Sequence, residues 1–149
     1  MMKRRIRNSA KAIIIKGGKM LASKIDDNGD IYYIMPGGGQ DTEELLPDAV
    51  KRECAEELGV EVEPKSLEFV IEGRNGESFH RVDFVFLCEF IGELSNSKIQ
   101  SDKNQVGFDW LSIDNLMNEP RYPSKLRLQI INLFHKRKTE TYLGNEDME

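Results

Sequence analysis

The chain predicts a mixed α/β domain in which helices pack on a sheet. Two observations carry this: strand-like runs and helical periodicities alternate along it, and they share one uninterrupted composition. With 149 residues, 39% hydrophobic and 32% charged, the chain suits one globular domain with a sizeable core. No internal repeat, low-complexity linker or shift in composition divides it, so residues 1–149 read as a single domain, with Thr139 to Glu149 as an acidic tail.

Ala10 to Lys16 and Met20 to Ile25 are apolar, β-branched runs on either side of Gly17-Gly18-Lys19, which suits a hairpin. The turn-forming stretch Asp26 to Asp30 then leads into Ile31 to Met35, a further strand that Pro36-Gly37-Gly38-Gly39 ends. From Pro47 to Leu58, Ala49, Val50, Cys54 and Leu58 recur at helical spacing; Pro47 fits a first turn and Gly59 supplies the stop. Leu67 to Glu72 and Phe79 to Phe90 are strand-like around Asn75-Gly76, with Val82, Phe84, Phe86, Cys88 and Phe90 alternating toward one core face. Gly92 to Asn104 is polar and turn-rich, and Val106 to Leu111 forms another strand carrying Trp110. Ser112 to Met117 reads as a short helix, and Ser124 to Lys138 as a longer one with Leu126, Ile130, Leu133 and Phe134 on one stripe.

A formal charge of −5 disfavours bulk electrostatic binding to nucleic acid or an anionic membrane. The chain has no apolar run of spanning length and no apolar stretch after its basic start, so the expectation is a cytoplasmic protein without a membrane partner. Cys54 and Cys88 each fall inside an apolar pattern, as buried free thiols do.

Chemistry concentrates between Gly38 and Val60. Glu53, Glu56 and Glu57 stand at i, i+3 and i+4 of the predicted helix, so their carboxylates share one face while Val50, Cys54 and Leu58 take the other. Like charges so placed cost a few tenths of a kcal/mol per pair, and Glu at a helix C-terminus opposes the macrodipole. The plain alternative is a solvated acidic face. A divalent cation of the Mg²⁺ type would compensate the charge, because hard cations take carboxylate oxygens and keep waters beside a phosphate-bearing substrate. Gly37, Gly38 and Gly39 ahead of the helix let backbone approach such a site closely.

The spacing decides between the two. Gly38, Glu44, Arg52, Glu53, Glu56, Glu57 and Gly59 match every fixed position of the Nudix box, G-x5-E-x7-R-E-U-x-E-E-x-G-U, and the segment resembles that family. Cys54 stands where an aliphatic residue is usual, a change that a small buried hydrophobe accommodates. Tyr33 to Gly38 and Trp110 to Ile113 extend the similarity, so it covers the chain from about Ala10 to Phe134. The resemblance implies a Nudix fold, an α/β/α sandwich around a mixed sheet. It also implies Mg²⁺-dependent hydrolysis, with Mn²⁺ as a substitute, of a diphosphate linkage in a nucleoside diphosphate joined to another moiety X, such as ADP-ribose or a nucleoside triphosphate.

The same resemblance implies roles. Glu56 and Glu57 are metal ligands, Glu53 is a ligand or the general base, the Gly38 carbonyl is an additional ligand, and Arg52 and Glu44 orient the glutamates. In many relatives an acidic residue before the late strand serves as base or ligand; here the matching position is Gln105, which is neutral, with Asp102 as the nearby carboxylate. For substrate contacts the residues of suitable type are Arg74, Arg81, His80, Tyr122 and Gln105. A structural role competes for each: a lone His is most often a satisfied structural residue, and Tyr122-Pro123 also suits a helix start. A second function of different class is a Nudix-fold module that senses a nucleotide without cleaving it. The identity of X and the oligomeric state, a homodimer included, stay open.

Overall fold

The computed structural model describes residues 5–74, 79–95, 104–119 and 122–146. Eight strands form one mixed sheet: β1 (Arg5–Lys16), β2 (Lys19–Asp27), β3 (Asp30–Ile34), β4 (Gly37–Gly39), β5 (Val60–Gly73), β6 (Phe79–Glu93), β7 (Gln105–Ser112) and β8 (Tyr142–Asn145). Helix α1 (Leu46–Leu58) lies between β4 and β5; a 3-10 segment (Ile113–Asn118) and helix α2 (Ser124–Phe134) lie between β7 and β8. The path runs β3-β2-β1-β6-β5-β8, with β4 paired to β1 and β7 to β2. β1 runs parallel to β6, and β5 to β8; the remaining pairs are antiparallel.

Both faces of the sheet are covered, as the α/β/α expectation requires. On one face Ala10, Ala12 and Ile14 of β1 meet Ala49, Val50, Cys54 and Leu58 of α1 together with Phe86 and Cys88. On the other, Ile13 joins Phe69, Ile71 and Val85 against Ile113, Leu116, Leu126 and Ile130. Alternation along β1 therefore sends successive side chains into two separate cores.

This double coverage corrects the reading of β6. Phe86 and Cys88 do face a core, yet Val85 and Asp83 on the opposite side are buried too, because α2 covers what an open antiparallel sheet would leave wet. The Pro36 to Gly39 stretch also does more than end a strand, since Gly37–Gly39 pairs with Ser9, Ala10 and Lys11 as β4. Its backbone presses so close that a Cβ on Gly37 would fall on the Ala10 carbonyl and 2.8 Å from Lys11 Cα, and Gly37 holds φ at +130°.

The expected acidic tail is likewise partly structure. Tyr142–Asn145 adds a parallel strand beside Val70 to Glu72, Leu143 is buried, and Lys125 Nζ donates to the Leu143 and Asn145 carbonyls at 3.2 Å each. A four-residue strand flanked by acids carries too weak a pattern to be seen without its partner. The second helix stops at Phe134 and not Lys138, where Lys136 turns to φ +56°. The turn at Asn75-Gly76 and most of the Gly92 to Asn104 loop lie outside the described residues.

Helix α1 behaves as its sequence predicts. Pro47 occupies the first turn, and Gly59 caps the end in the left-handed region at φ +65° with its N–H on the last turn. Cys54 and Cys88 are buried free thiols, and burial pushes both up in pKa, Cys88 to about 12.

Three substitutions separate packing from backbone effects. Replacing Cys54 by Val should cost within about 1.5 kcal/mol, Phe69→Ala about 3 to 5 kcal/mol, and Gly37→Ala more than about 2 kcal/mol although it adds a single methyl group. Equilibrium denaturation measures all three, and a neutral Gly37→Ala would contradict the close β1–β4 contact.

Candidate active site

Helix α1 presents its polar side toward β4 and the loop between them, and one guanidinium organises what gathers there. Arg52 grips Glu44 through two parallel bonds, Nε to Oε2 at 2.7 Å and Nη2 to Oε1 at 2.9 Å. Its Nη1 donates to Glu53 Oε1 at 2.9 Å and Glu56 Oε2 at 3.1 Å, and Nη2 also reaches the Gly39 carbonyl at 2.9 Å. Asp41 stands 3.6 Å from the same nitrogen. The glutamate carboxylates bonded to Arg52 leave this face anionic even with the cation in place.

Each partner is held in turn. The Asp41 N–H donates to Glu44 Oε1 at 3.0 Å, and Gln40 donates to the Glu44 carbonyl at 2.6 Å while its own side-chain oxygen accepts from Asn8. Hydrogen bonds from Arg52, seconded by the Asp41 N–H, pull the Glu44 carboxyl down to a pKa of about 2, while Glu44 first and Glu53 next raise the pKa of Arg52. Glu53 lies flat against Gly38: a Cβ there would sit 2.6 Å from its Oε2. Only glycine leaves that room.

Glu57 is 9% exposed, at the edge between the polar and apolar sides of α1, so the three box glutamates do not share one open face as the spacing alone suggests. Among the described residues no three carboxylate, imidazole or thiol groups are gathered as a ready-made metal cluster, because Arg52 draws Glu53 and Glu56 to itself. The donors are nonetheless hard carboxylate oxygens beside backbone that a glycine keeps uncovered. That set fits a divalent cation of the Mg²⁺ kind, which takes few protein ligands and completes its shell with water and phosphate oxygens.

The residues read as substrate contacts fall in three places. Arg81 and Tyr122 share a cavity of about 200 Å³ with Lys11, Met35 and Leu126. Arg74 and His80 line a second recess with Glu72 and Tyr142, where His80 Nε2 and the Tyr142 hydroxyl both engage the Glu72 carboxylate, at 2.6 and 2.5 Å. Gln105 lines a third, of about 400 Å³, beside Glu57, and its Nε2 lies 3.4 Å from the Glu57 carbonyl. Tyr122 is buried and its hydroxyl has no hydrogen-bond partner among the described residues, so burial pushes its pKa up. Asp102 lies outside the described residues.

Two cations escaped the sequence reading. Arg7 places Nη2 2.6 Å from where a Gly39 side chain would begin, with its guanidinium carbon 5.2 Å over the Phe79 ring, and Lys11 enters the cavity of Arg81. Their alternation along β1 was a visible signal, but only the β1–β4 register shows what it faces.

The NUDIX domain family profile matches residues 6–130. Among solved structures, a NUDIX hydrolase from Nitrosomonas europaea superposes with TM-score 0.71 at 24% identity, covering 90% of each chain. A MutT NUDIX hydrolase from Burkholderia pseudomallei gives 0.69 at 25% identity, covering 86% of this chain and 99% of that one. An ADP-ribose pyrophosphatase from Streptococcus suis gives 0.63 at 21%, covering 93% and 97%. No curated protein matches the chain by sequence.

A pH series tests the Arg52 grip. Because the folded Glu44 pKa is depressed from 4.5 to about 2, its contribution to stability is full above the unfolded value and is lost as pH falls between the two. The stability gap between wild type and Glu44→Gln, measured by denaturation from neutral pH downward, should therefore shrink across that window. A gap independent of pH would contradict the ion pair.

Proposed function

This chain belongs to the Nudix hydrolase family, and we propose that it is a Mg²⁺-dependent pyrophosphohydrolase cleaving the diphosphate linkage of a nucleoside diphosphate joined to another moiety. The single observation that carries the reading is the intact set of box residues: Glu44, Glu53 and Glu56 bonded to Arg52, with Glu57 on the next position of the same helix. A binding module would have no use for every one of these carboxylates. The ADP-ribose pyrophosphatase and MutT names among the structural neighbours agree in chemical class.

The contacts support a division of roles. Glu56, Glu57 and Glu53, with the Gly38 carbonyl, would hold the cation, for which Mn²⁺ is a substitute. Bound there, it would offset the charge of the diphosphate oxygens and sharpen the electrophilicity of phosphorus. Arg52 and Glu44 are positioning residues, since Arg52 touches Glu53 and Glu56 and Glu44 holds the guanidinium that does so. Glu53 keeps one oxygen on Arg52 while its carboxylate lies against Gly38, and it serves either as a further ligand of that cation or as the base that deprotonates a water for in-line attack. Gln105 is neutral and serves only as a polar contact beside Glu57. No helix of the described residues is long and apolar enough to cross a membrane. We place the activity in the cytoplasm, on a small nucleotide substrate.

The reading is tested with a panel of ADP-ribose, nucleoside triphosphates, dinucleoside polyphosphates and capped RNA, with product identification. Glu57→Gln should lower kcat by on the order of 10³ or more with little effect on folding; retained activity at saturating cation would sink its role. Glu53→Gln should remove most of kcat, whereas Gln105→Ala should cost roughly 1 to 3 kcal/mol at most. If Asp102→Asn alone abolished turnover and Glu53→Gln did not, the base would not lie in the box. A chelator should abolish turnover reversibly while circular dichroism stays unchanged; unfolding instead would make the metal structural.

A further inference from the structure

The C-terminal strand lies beyond the matched family region, yet the residue just past it, Glu146, lines the cavity that holds Arg81 and Tyr122. Glu146, immediately after β8, places its carboxylate on Arg81 Nη2, while Arg81 Nε lies 3.0 and 2.9 Å from the two Asp83 oxygens. These groups and Lys11 line the same cavity, whose remaining described walls include Met35, Ile71, Tyr122 and Leu126. All three members of the ion-pair group are largely withdrawn from solvent, with side-chain exposures of 19% for Arg81, 7% for Asp83 and 17% for Glu146.

The strand delivers Glu146 to a fixed place. The Glu146 N–H bonds to the Glu72 carbonyl at 2.7 Å, Tyr142 bonds to the Glu72 carboxylate, and Lys125 of α2 holds two β8 carbonyls. Gly73 supplies the room, for a Cβ there would meet Arg81 Nη2 at 2.8 Å and collide with the Glu146 carboxylate. Three strands therefore converge to make this pair.

Arg81 is the residue type a phosphate would seek, and two carboxylates already hold it. Among the described lining residues, the charges of Lys11 and Arg81 are cancelled by those of Asp83 and Glu146. A phosphate entering here would have to displace a buried carboxylate from Arg81, whereas an uncharged ring loses nothing and finds acceptors in Asp83 and Glu146, a donor in Lys11 and apolar walls for its faces. We propose that Glu146 makes this cavity selective for an uncharged ring of the substrate, base or sugar, and rejects an additional phosphate at that end. The inference rests on the hydrolase reading above and names the specificity element of that enzyme.

The test uses full-length protein and substrate pairs built on whichever panel member the wild type cleaves. One pair differs by a phosphate on the nucleoside ribose, the other by a phosphate on the far moiety, and the readout is the ratio of kcat/KM within each pair. Wild type should prefer the unphosphorylated member in one pair, and that pair identifies which ring occupies the cavity. Glu146→Gln leaves an excess positive charge and should lower that preference by about tenfold. Arg81→Gln leaves an excess of negative charge and should raise it, while Glu146→Asp, which keeps the charge, should stay near the wild-type ratio. A merely structural role would move Glu146→Gln and Arg81→Gln in the same direction, and that result, or ratios that do not move at all in an active enzyme, overturns the inference alone. Failure of the wild type to cleave any panel member overturns the hydrolase reading and this inference with it.

Discussion

One guanidinium carries the arrangement of the candidate site. A helix with glutamates at i, i+3 and i+4 should splay those side chains into water, since nothing intrinsic to the helix holds like charges together. Arg52 reverses this by offering its planar fork to Glu44 and its remaining N–H groups to Glu53, Glu56 and the Gly39 carbonyl. A lysine could not do so, because a point charge lacks the geometry to satisfy a bidentate carboxylate and three further acceptors at once. The guanidinium also ties three segments, the loop after β4, the strand itself and α1, so the carboxylates are positioned relative to the sheet and not merely to one another.

That tie works only because β4 has no side chains. Gly37 lets the strand press against β1, Gly38 makes room for the Glu53 carboxylate, and the space beside Gly39 is taken by Arg7. A side chain at Gly37 would push β4 from β1, and one at Gly38 or Gly39 would displace the Glu53 carboxylate or the Arg7 guanidinium. The glycines are therefore part of the same constraint as Arg52: a polar network assembled by close backbone approach, in which a displacement at one member is felt by the others.

Much of this was legible in the chain. Helical periodicity pointed to α1, its stop at Gly59 and its buried Cys54, and the box resemblance to an Arg52 that orients the glutamates, because all of these are set by residues within one or two helical turns or one loop. What stayed hidden depends on long-range register. β4 looks like a loop until β1 is placed beside it; β8 is too short and too acidic to announce itself; Asp83 reads as a solvent-facing strand residue until α2 covers that face. Glu57 appeared to join an open acidic face, yet its position at the margin of the apolar side buries it. For the same reason Arg74, Arg81, His80, Tyr122 and Gln105, alike in residue type, could not be sorted into separate recesses from the sequence.

The two faces of the sheet thus divide the work. The side of α1 gathers carboxylates around Arg52, and the side of α2 holds a cavity in which Lys11 and Arg81 are matched by Asp83 and Glu146. The account's central claim is that water attacks phosphorus on the α1 side. Hydrolysis in heavy-oxygen water followed by mass spectrometry of both products tests this most directly. The account predicts one label per turnover, carried on a phosphate oxygen of a single product. Label on a sugar or base carbon, or tight nucleotide binding with no product at all, would contradict it.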